Sequence, residues 1–121
     1  MEGKSLLYDF ASGTEAIQRA YTCLLSAVVA ISTGNKATIY FLDKGVNILK
    51  KNESERVALP GFPPLSELID QAAAVGVRLE ACEQSCMFAG LQASDIISTV
   101  KIVGSTTVND RLIEADSVLS L

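Results

Sequence analysis

Short apolar runs alternate with longer amphipathic stretches along the whole chain. Five runs have the length and apolar content of strands: residues 4–10, 37–42, 77–82, 100–103 and 117–121. The run 37–42 is continuously apolar, as expected of a central parallel strand buried on both faces. Strands that alternate with helices are typical of βαβ units. The pattern therefore predicts one α/β domain over residues 1–121, a three-layer α/β/α sandwich with about five mostly parallel strands.

Between these runs, apolar residues recur at three- and four-residue spacing, which predicts helices. Ser12 and Glu15 stand three apart, as in a capping box, and predict the start of a helix that ends at Gly34. A second helix follows Pro64 and is closed by Gly76. Both helices connect predicted parallel strands, as crossover helices do.

The remaining segments give weaker signals. The charged run 50–56 is predicted to be a solvated loop, since charge runs usually lie at the surface. Short helices are predicted over 84–90 and 94–97. Thr107 and Asp110 indicate the cap of a last helix before the terminal strand.

Composition points to a protein that buries apolar surface between subunits. The apolar fraction is 49% for 121 residues, and the mean hydropathy of +0.32 is high for so small a soluble domain. We therefore expect a homo-oligomer. The longest uncharged run, residues 20–35, is interrupted by Thr22 and Ser26 and does not predict a membrane span.

Charge and residue usage exclude several functions. The net charge of −4 repels a phosphate backbone, so nucleic acid is not an expected partner. The first residues do not resemble a signal peptide, and three irregularly spaced cysteines indicate free thiols, so we expect a cytoplasmic protein. The absence of histidine excludes zincins, serine-histidine triads and cysteine-histidine proteases. Neither a P-loop nor a GxGxxG motif is present, and we expect no cofactor and no metal.

Ligands of parallel sheets bind beyond the carboxyl ends of the strands, which selects the segments 11–14, 43–45, 82–87 and 104–107. Among them only Cys82 offers a side chain for covalent chemistry at neutral pH. The helix start after it favours the thiolate. Glu80 and Glu83 would oppose ionisation, and Lys44 could offset them, so the sign of the net effect stays open.

The sequence gives less indication that the other two cysteines take part in a reaction. Cys86 lies four residues after Cys82, so a disulfide, a resolving role or a metal pair are conceivable. The CxxxC spacing is unspecific, and a structural or auxiliary role is favoured because free cysteine is usually buried. Cys23 lies beside the apolar stripe of the first helix, where core or interface packing is favoured.

Several short segments, in this order of elements, match a known family. They are Phe41-Leu42-Asp43-Lys44-Gly45-Val46, Leu65-x-x-Leu68-Ile69, Gly76-Val77, Ala81-Cys82-Glu83-x-Ser85-x-Met87, Val103-Gly104 and Glu114-Ala115-Asp116-x-Val118-Leu119. Together they resemble the DsrE/DsrF-like superfamily over nearly the whole chain. The resemblance implies a flavodoxin-like fold, assembly into trimers or hexamers, and sulfur relay through a persulfide on Cys82. Relatives have a Ser-Met pair after this cysteine, whereas here Cys86 stands between Ser85 and Met87.

The resulting hypothesis is a sulfur carrier or sulfurtransferase-like protein. Cys82 accepts a sulfane sulfur and passes it to a partner, so donor and acceptor proteins or small thiols are the expected partners. Gly45 lets a partner approach closely, Lys44 favours the anion, and Ser85 holds it. Two alternatives remain: a non-catalytic oligomeric binding or regulatory module, and a thiol redox protein that uses Cys82 and Cys86.

Overall fold

The strands of the described residues lie in one parallel sheet. The computed structural model describes residues 3–121. The strands are Ser5–Phe10 (β1), Lys36–Phe41 (β2), Arg78–Cys82 (β3), Lys101–Val103 (β4) and Ser117–Ser120 (β5). They are arranged in the order β4-β3-β2-β1-β5, and every neighbouring pair is parallel. The predicted α/β fold class, with about five mostly parallel strands, is confirmed.

Within residues 3–121, five α-helices lie between successive strands. They are Ile17–Ser32 (α1), Lys51–Arg56 (α2), Leu65–Val75 (α3), Glu83–Phe88 (α4) and Ser105–Glu114 (α5). Gly76 closes α3 in the left-handed conformation, with φ of +108°, as predicted for a residue without a Cβ atom. No helix within residues 3–121 combines the length and apolar content that a bilayer crossing requires.

Three local predictions were wrong, and two of them concern helix starts. Ser12 does not cap a helix, because its hydroxyl donates to the carbonyl of Leu121 at 2.6 Å. Glu15 accepts from the N–H of Gly13 at 3.0 Å in a 3₁₀ turn, and α1 begins only at Ile17. The last helix begins at Ser105, so Thr107 and Asp110 lie inside it.

The third wrong prediction is the charged loop, which is helix α2. Its sequence, Lys-Asn-Glu-Ser-Glu-Arg, contains four good helix formers, and α2 packs against α3. Ser54 is buried at this contact, whereas most of the charged side chains are exposed. A short tertiary contact therefore stabilises a helix that the charge pattern alone does not reveal.

The two faces of the sheet differ in chemistry. One face carries apolar side chains that are almost fully buried, such as Ile39, Leu79 and Ala81, and packs against α1 and α3. Alternate residues point to the other face, which carries Thr38 and Glu80 and is covered by α5. We call these the apolar face and the polar face. Helices on both faces confirm the three-layer arrangement.

Ion pairs hold α5 on the polar face. Arg111 of α5 donates from Nε and Nη2 to the two carboxylate oxygens of Glu80 on β3, at 2.8 and 2.9 Å. Glu80 is buried, and its hydrogen bond and charge raise the pKa of Arg111. Arg78 also joins the two elements, since it donates to Thr38 at 3.0 Å and to Glu114 at 2.8 Å. The bidentate geometry of the pair between Arg111 and Glu80 fixes the position of α5 above the sheet.

Candidate functional site

A cleft opens where the chain connections change from one face of the sheet to the other. After β3 the chain enters α4, whose Cys86 packs in the apolar core, whereas after β4 it enters α5 on the polar face. Ligands of parallel sheets commonly bind at such a switch point. An open cleft of about 360 Å³ lies there, lined by Cys82, Glu83, Gln84, Met87, Phe88, Val103, Gly104 and Ser105.

Cys82 contributes its thiol to this cleft. It is the last residue of β3 and the N-cap of α4, where its sulfur accepts a hydrogen bond from the N–H of Ser85 at 3.4 Å. Its side chain points to the polar face, in register with Val103 of β4. Cys82 is partly exposed, so the sulfur lies at the cleft surface and not within the core.

Hydrogen bonds favour the thiolate of Cys82. Burial alone raises its pKa, because it removes the charged sulfur from water. The hydroxyls of Ser85 and Tyr40 and the backbone N–H groups of Ser85 and Gln84 act in the opposite direction. Their combined effect is larger, and the pKa of Cys82 lies below its ordinary value. This environment therefore favours the thiolate, which is the nucleophilic form of cysteine.

Ser85 links the cysteine to the loop that follows β2. Its Oγ accepts a hydrogen bond from the N–H of Asp43 at 2.8 Å, which leaves the hydroxyl proton free to point at Cys82. Asp43 has a positive φ of 51°, and it is the one non-glycine residue with this conformation among those described. Such conformations cluster at functional sites, where the surrounding structure compensates for their strain. The loop after β2 therefore positions Ser85 as a donor.

Tyr40 is the site residue that sequence reasoning missed. It lies on β2, opposite Glu80 in register, and packs with Cys82 and Val103 in the small cluster of the polar face. The sequence indicates only a buried aromatic residue in a continuously apolar strand. Strand alternation reveals its face only once the β2–β3 register is known. The register is a tertiary property, so no local signal identifies Tyr40.

Lys44 and Gly45 follow Asp43, and neither lines the cleft that contains Cys82. The charge of Lys44 lowers the pKa of Glu15, after the larger effect of backbone hydrogen bonds, and Lys44 lines a different pocket from Cys82. Gly45 is buried against the backbone carbonyl of Phe10, where a Cβ atom would collide. Its lack of a side chain therefore permits this close contact within the chain, and its role in the approach of a partner stays a prediction. The role of Lys44 stays a prediction.

The two acidic neighbours of Cys82 differ in their surroundings. Glu80 forms its ion pair with Arg111, which compensates its charge. Glu83, the first residue of α4, lines the cleft. The sign that the sequence leaves open is thus set by hydrogen-bond donors, since these are what lower the pKa of Cys82.

The other thiols belong to the apolar core. Cys86 is 1% exposed and packs with residues of the apolar face, although Cys82 stands only four positions before it. Burial raises the pKa of Cys86, and the charge of Cys82 raises it further. Cys23 in α1 is also 1% exposed, and burial raises its pKa to about 12. Both environments disfavour the thiolate.

The described residues contain no metal site of the usual kind. Within residues 3–121, no group of three or more His, Cys, Asp or Glu side chains is arranged to hold a metal ion. The thiol of Cys82, whose pKa is lowered by hydrogen-bond donors, lines the cleft.

Fold and site together define an α/β protein with a partly exposed cysteine of lowered pKa at the carboxyl end of its parallel sheet. The family model for the DsrE/DsrF-like family matches residues 4–121. The chain belongs to the DsrE/DsrF-like family, as its resemblance implied.

Three curated relatives are archaeal and uncharacterised. MJ0760 of Methanocaldococcus jannaschii is 31% identical over 96 residues, which cover 79% of this chain and 35% of that protein. MJ0989 of the same organism is 27% identical, over 85% of this chain and 87% of that protein. MK0008 of Methanopyrus kandleri is 28% identical, over 84% and 81%. The chain thus spans about a third of MJ0760 but most of the other two.

Two solved structures share the fold. The protein of unknown function MTH1491 from Methanobacterium thermoautotrophicum has a TM-score of 0.72 and 16% identity, over 99% of this chain and all of that one. The ychN protein from E. coli has a TM-score of 0.72 and 17% identity, over all of both chains. These similarities establish the architecture and leave the activity to the site itself.

Proposed function

We propose that the protein is a sulfur carrier that accepts a sulfane sulfur on Cys82 and passes it to a partner thiol. The observation that carries this proposal is the contrast among the three cysteines. Cys82 alone is partly exposed in a cleft with a lowered pKa, whereas Cys23 and Cys86 are buried with raised pKa values. The family is often linked to sulfur relay, which agrees with this chemistry.

The reaction consists of two thiol exchanges at one sulfur atom. In the first, the Cys82 thiolate attacks the outer sulfur of a donor persulfide R–S–SH, giving Cys82–S–SH and the thiolate R–S⁻. In the second, an acceptor thiolate R′–S⁻ attacks the outer sulfur, giving R′–S–SH and the Cys82 thiolate. The two steps balance without an external oxidant or reductant. An ionised cysteine needs no general base for this attack, which agrees with a chain that lacks histidine.

Trapping of the persulfide tests the proposal. The protein is incubated with glutathione persulfide, alkylated with iodoacetamide and analysed by mass spectrometry of its peptides. We expect one additional sulfur atom on the Cys82 peptide, removable by a small thiol acceptor. Cys86→Ala should keep this adduct, and Cys82→Ser should abolish it.

Other outcomes would favour the alternatives. A reversible Cys82–Cys86 disulfide without sulfur addition would indicate a thiol redox protein. The structure disfavours this outcome, because the two side chains pack in different clusters on opposite faces of the sheet. An unmodified, slowly alkylated Cys82 would contradict the carrier and favour a binding module.

We further propose that the protein forms a homo-oligomer, a trimer or hexamer. Four large apolar side chains of α5 and β5 are 48–82% exposed: Leu112, Ile113, Val118 and Leu119. Within the described part of the chain, β5 also lies at the edge of the sheet. Such surface on a small domain usually contacts another protein. Sedimentation should show an assembly that Ile113→Glu weakens more than Phe62→Glu, and a monomer at all concentrations would contradict it.

The compartment and partners are part of the same proposal. Three free cysteines suit a reducing environment, so we propose that the protein acts in the cytoplasm with donor and acceptor thiols.

A further inference from the structure

Tyr40 brings a second side-chain hydroxyl to the reacting sulfur. It is paired with Glu80 in the β2–β3 register, so Cys82 is its diagonal neighbour two residues further along β3. Both side chains point to the polar face, where they pack with Val103 in one small cluster. An aromatic side chain can span such a diagonal distance. The ring of Tyr40 therefore packs beside Cys82, and its hydroxyl acts to lower the pKa of this thiol.

The surroundings of Tyr40 keep it a proton donor. Tyr40 is 9% exposed, and burial is the largest cause that raises its pKa. The hydrogen bond to Cys82 and the negative charge of the thiolate raise its pKa further. Tyr40 therefore stays protonated over the range in which Cys82 ionises, and its O–H can donate throughout both exchange steps.

We propose that the Tyr40 hydroxyl donates a hydrogen bond to Sγ of Cys82 and stabilises this sulfur as the leaving group when the outer sulfur is transferred. The inference rests on the proposed function and assigns a role within it. When the acceptor attacks Cys82–S–SH, the S–S bond breaks and its electron pair returns to Sγ. Tyr40 keeps its proton and stabilises the charge that develops on Sγ, together with Ser85.

This role predicts opposite effects on the two steps. Without the Tyr40 hydroxyl the Cys82 thiolate becomes more basic, which makes it a better nucleophile once ionised and a poorer leaving group. For the fully ionised thiol, attack on a donor should change on the order of threefold for each unit of pKa, given a Brønsted coefficient of about 0.4–0.5. A residue that only supports the fold would slow both steps together.

The two variants Tyr40→Phe and Tyr8→Phe provide a matched test. Tyr8 lies on the neighbouring strand, is 7% exposed and packs in the apolar core, where its hydroxyl donates to the carbonyl of Ser26 at 3.4 Å. Both changes remove one buried hydroxyl and keep the ring. Circular dichroism and thermal unfolding establish that each variant is folded.

The first readout is the pH profile of Cys82 alkylation by iodoacetamide, followed on its peptide. We expect Tyr40→Phe to move the midpoint to higher pH and Tyr8→Phe to leave it in place. Titratable or charged groups also surround this sulfur on β3, on the loop after β2, on α4 and on α5: Glu80, Asp43, Glu83, Cys86 and Arg111. Neither variant changes any of them, so a shift reports on the hydroxyl.

The second readout is transfer from persulfide-loaded protein to β-mercaptoethanol. We expect slower release from Tyr40→Phe than from the wild type and from Tyr8→Phe, and faster sulfur uptake at high pH. An unchanged alkylation midpoint or wild-type release in Tyr40→Phe would overturn the inference. Failure of the wild type to take up sulfur would instead overturn the proposed function, and the alkylation profile distinguishes the two cases because it requires no sulfur transfer.

Discussion

Cysteine side chains have different environments on the two faces of the sheet. On the apolar face, Cys23 and Cys86 are enclosed by hydrocarbon, and burial raises the pKa of both thiols. On the polar face, Cys82 meets the same penalty, but hydrogen-bond donors more than offset it. The difference shows that hydrogen-bond donors, and not exposure alone, lower the pKa of a thiol at the carboxyl end of the sheet.

Carboxylates and hydroxyls differ between the faces in the same way. Glu80 can be buried on the polar face because Arg111 supplies two hydrogen bonds to it. Tyr40 on this face acts to lower the pKa of Cys82, whereas the hydroxyl of Tyr8 on the other face donates to a helix carbonyl. The polar face thus provides specific geometry, and the apolar face provides most of the buried hydrocarbon.

Thiol reactivity should show the largest difference between the faces. At neutral pH in the native state, Cys82 should react with iodoacetamide at least about 30-fold faster than Cys23. Their pKa values differ by about 3 units or more, and the lower nucleophilicity of the less basic thiolate offsets about half of that difference. Peptide mass spectrometry over a time course measures both rates. In concentrated urea the ratio should fall toward unity, and a native ratio near unity would contradict the comparison.

Substitutions of two adjacent residues of β2 should show how much each face of the sheet contributes to the free energy of unfolding. Ile39→Ala removes a fully buried side chain from the apolar face and should lower the free energy of unfolding by about 3–4 kcal/mol. Thr38→Ala removes a hydrogen-bond acceptor of Arg78 on the polar face and should cost about 1 kcal/mol. Urea denaturation measures both values. Equal losses would show that the polar face carries as much packing energy as the apolar one.

The stability contributed by the ion pair between Glu80 and Arg111 should depend on both residues. Arg111→Met leaves the buried Glu80 carboxylate unpaired and should cost about 2 kcal/mol, less than for a fully buried pair because Arg111 is 20% exposed. Adding Glu80→Gln should restore part of this loss. A double-mutant cycle by urea denaturation measures the coupling. Additive losses would mean that the pair does not act as a unit.

The stability of the protein should fall at alkaline pH because the thiol of Cys23 is buried. Its pKa is raised to about 12 in the native state, so the native protein retains a proton that the unfolded chain loses above pH 9.0. This contribution to stability is complete below pH 9.0 and declines between pH 9.0 and about 12, by about 1.4 kcal/mol per pH unit. Cys23→Ala should remove this part of the slope. Urea denaturation from pH 8 to 11 measures it, and an unchanged slope would show that Cys23 does not titrate with folding.

Periodicity along the chain was sufficient for the architecture. The continuous apolar run of β2, the stripe of α1 and the glycine that closes α3 are local patterns, and each predicted its element, although α1 begins later than its predicted cap at Ser12. Predictions from local sequence were wrong where a tertiary contact determines the local structure. Ser12 bonds the carbonyl of Leu121, and α2 forms against α3 in a segment whose charges indicate a loop.

The sequence by itself determined the fold class and singled out Cys82, because strand and helix periods, cysteine count and the absence of histidine are properties of the chain alone. Only the tertiary structure decided that the pKa of Cys82 is lowered and which groups lower it. Tyr40 and Asp43 reach the site through strand order and register, and these depend on pairings between residues about 40 positions apart. A local pattern contains no information on such pairings, so it can identify the nucleophile and not its environment.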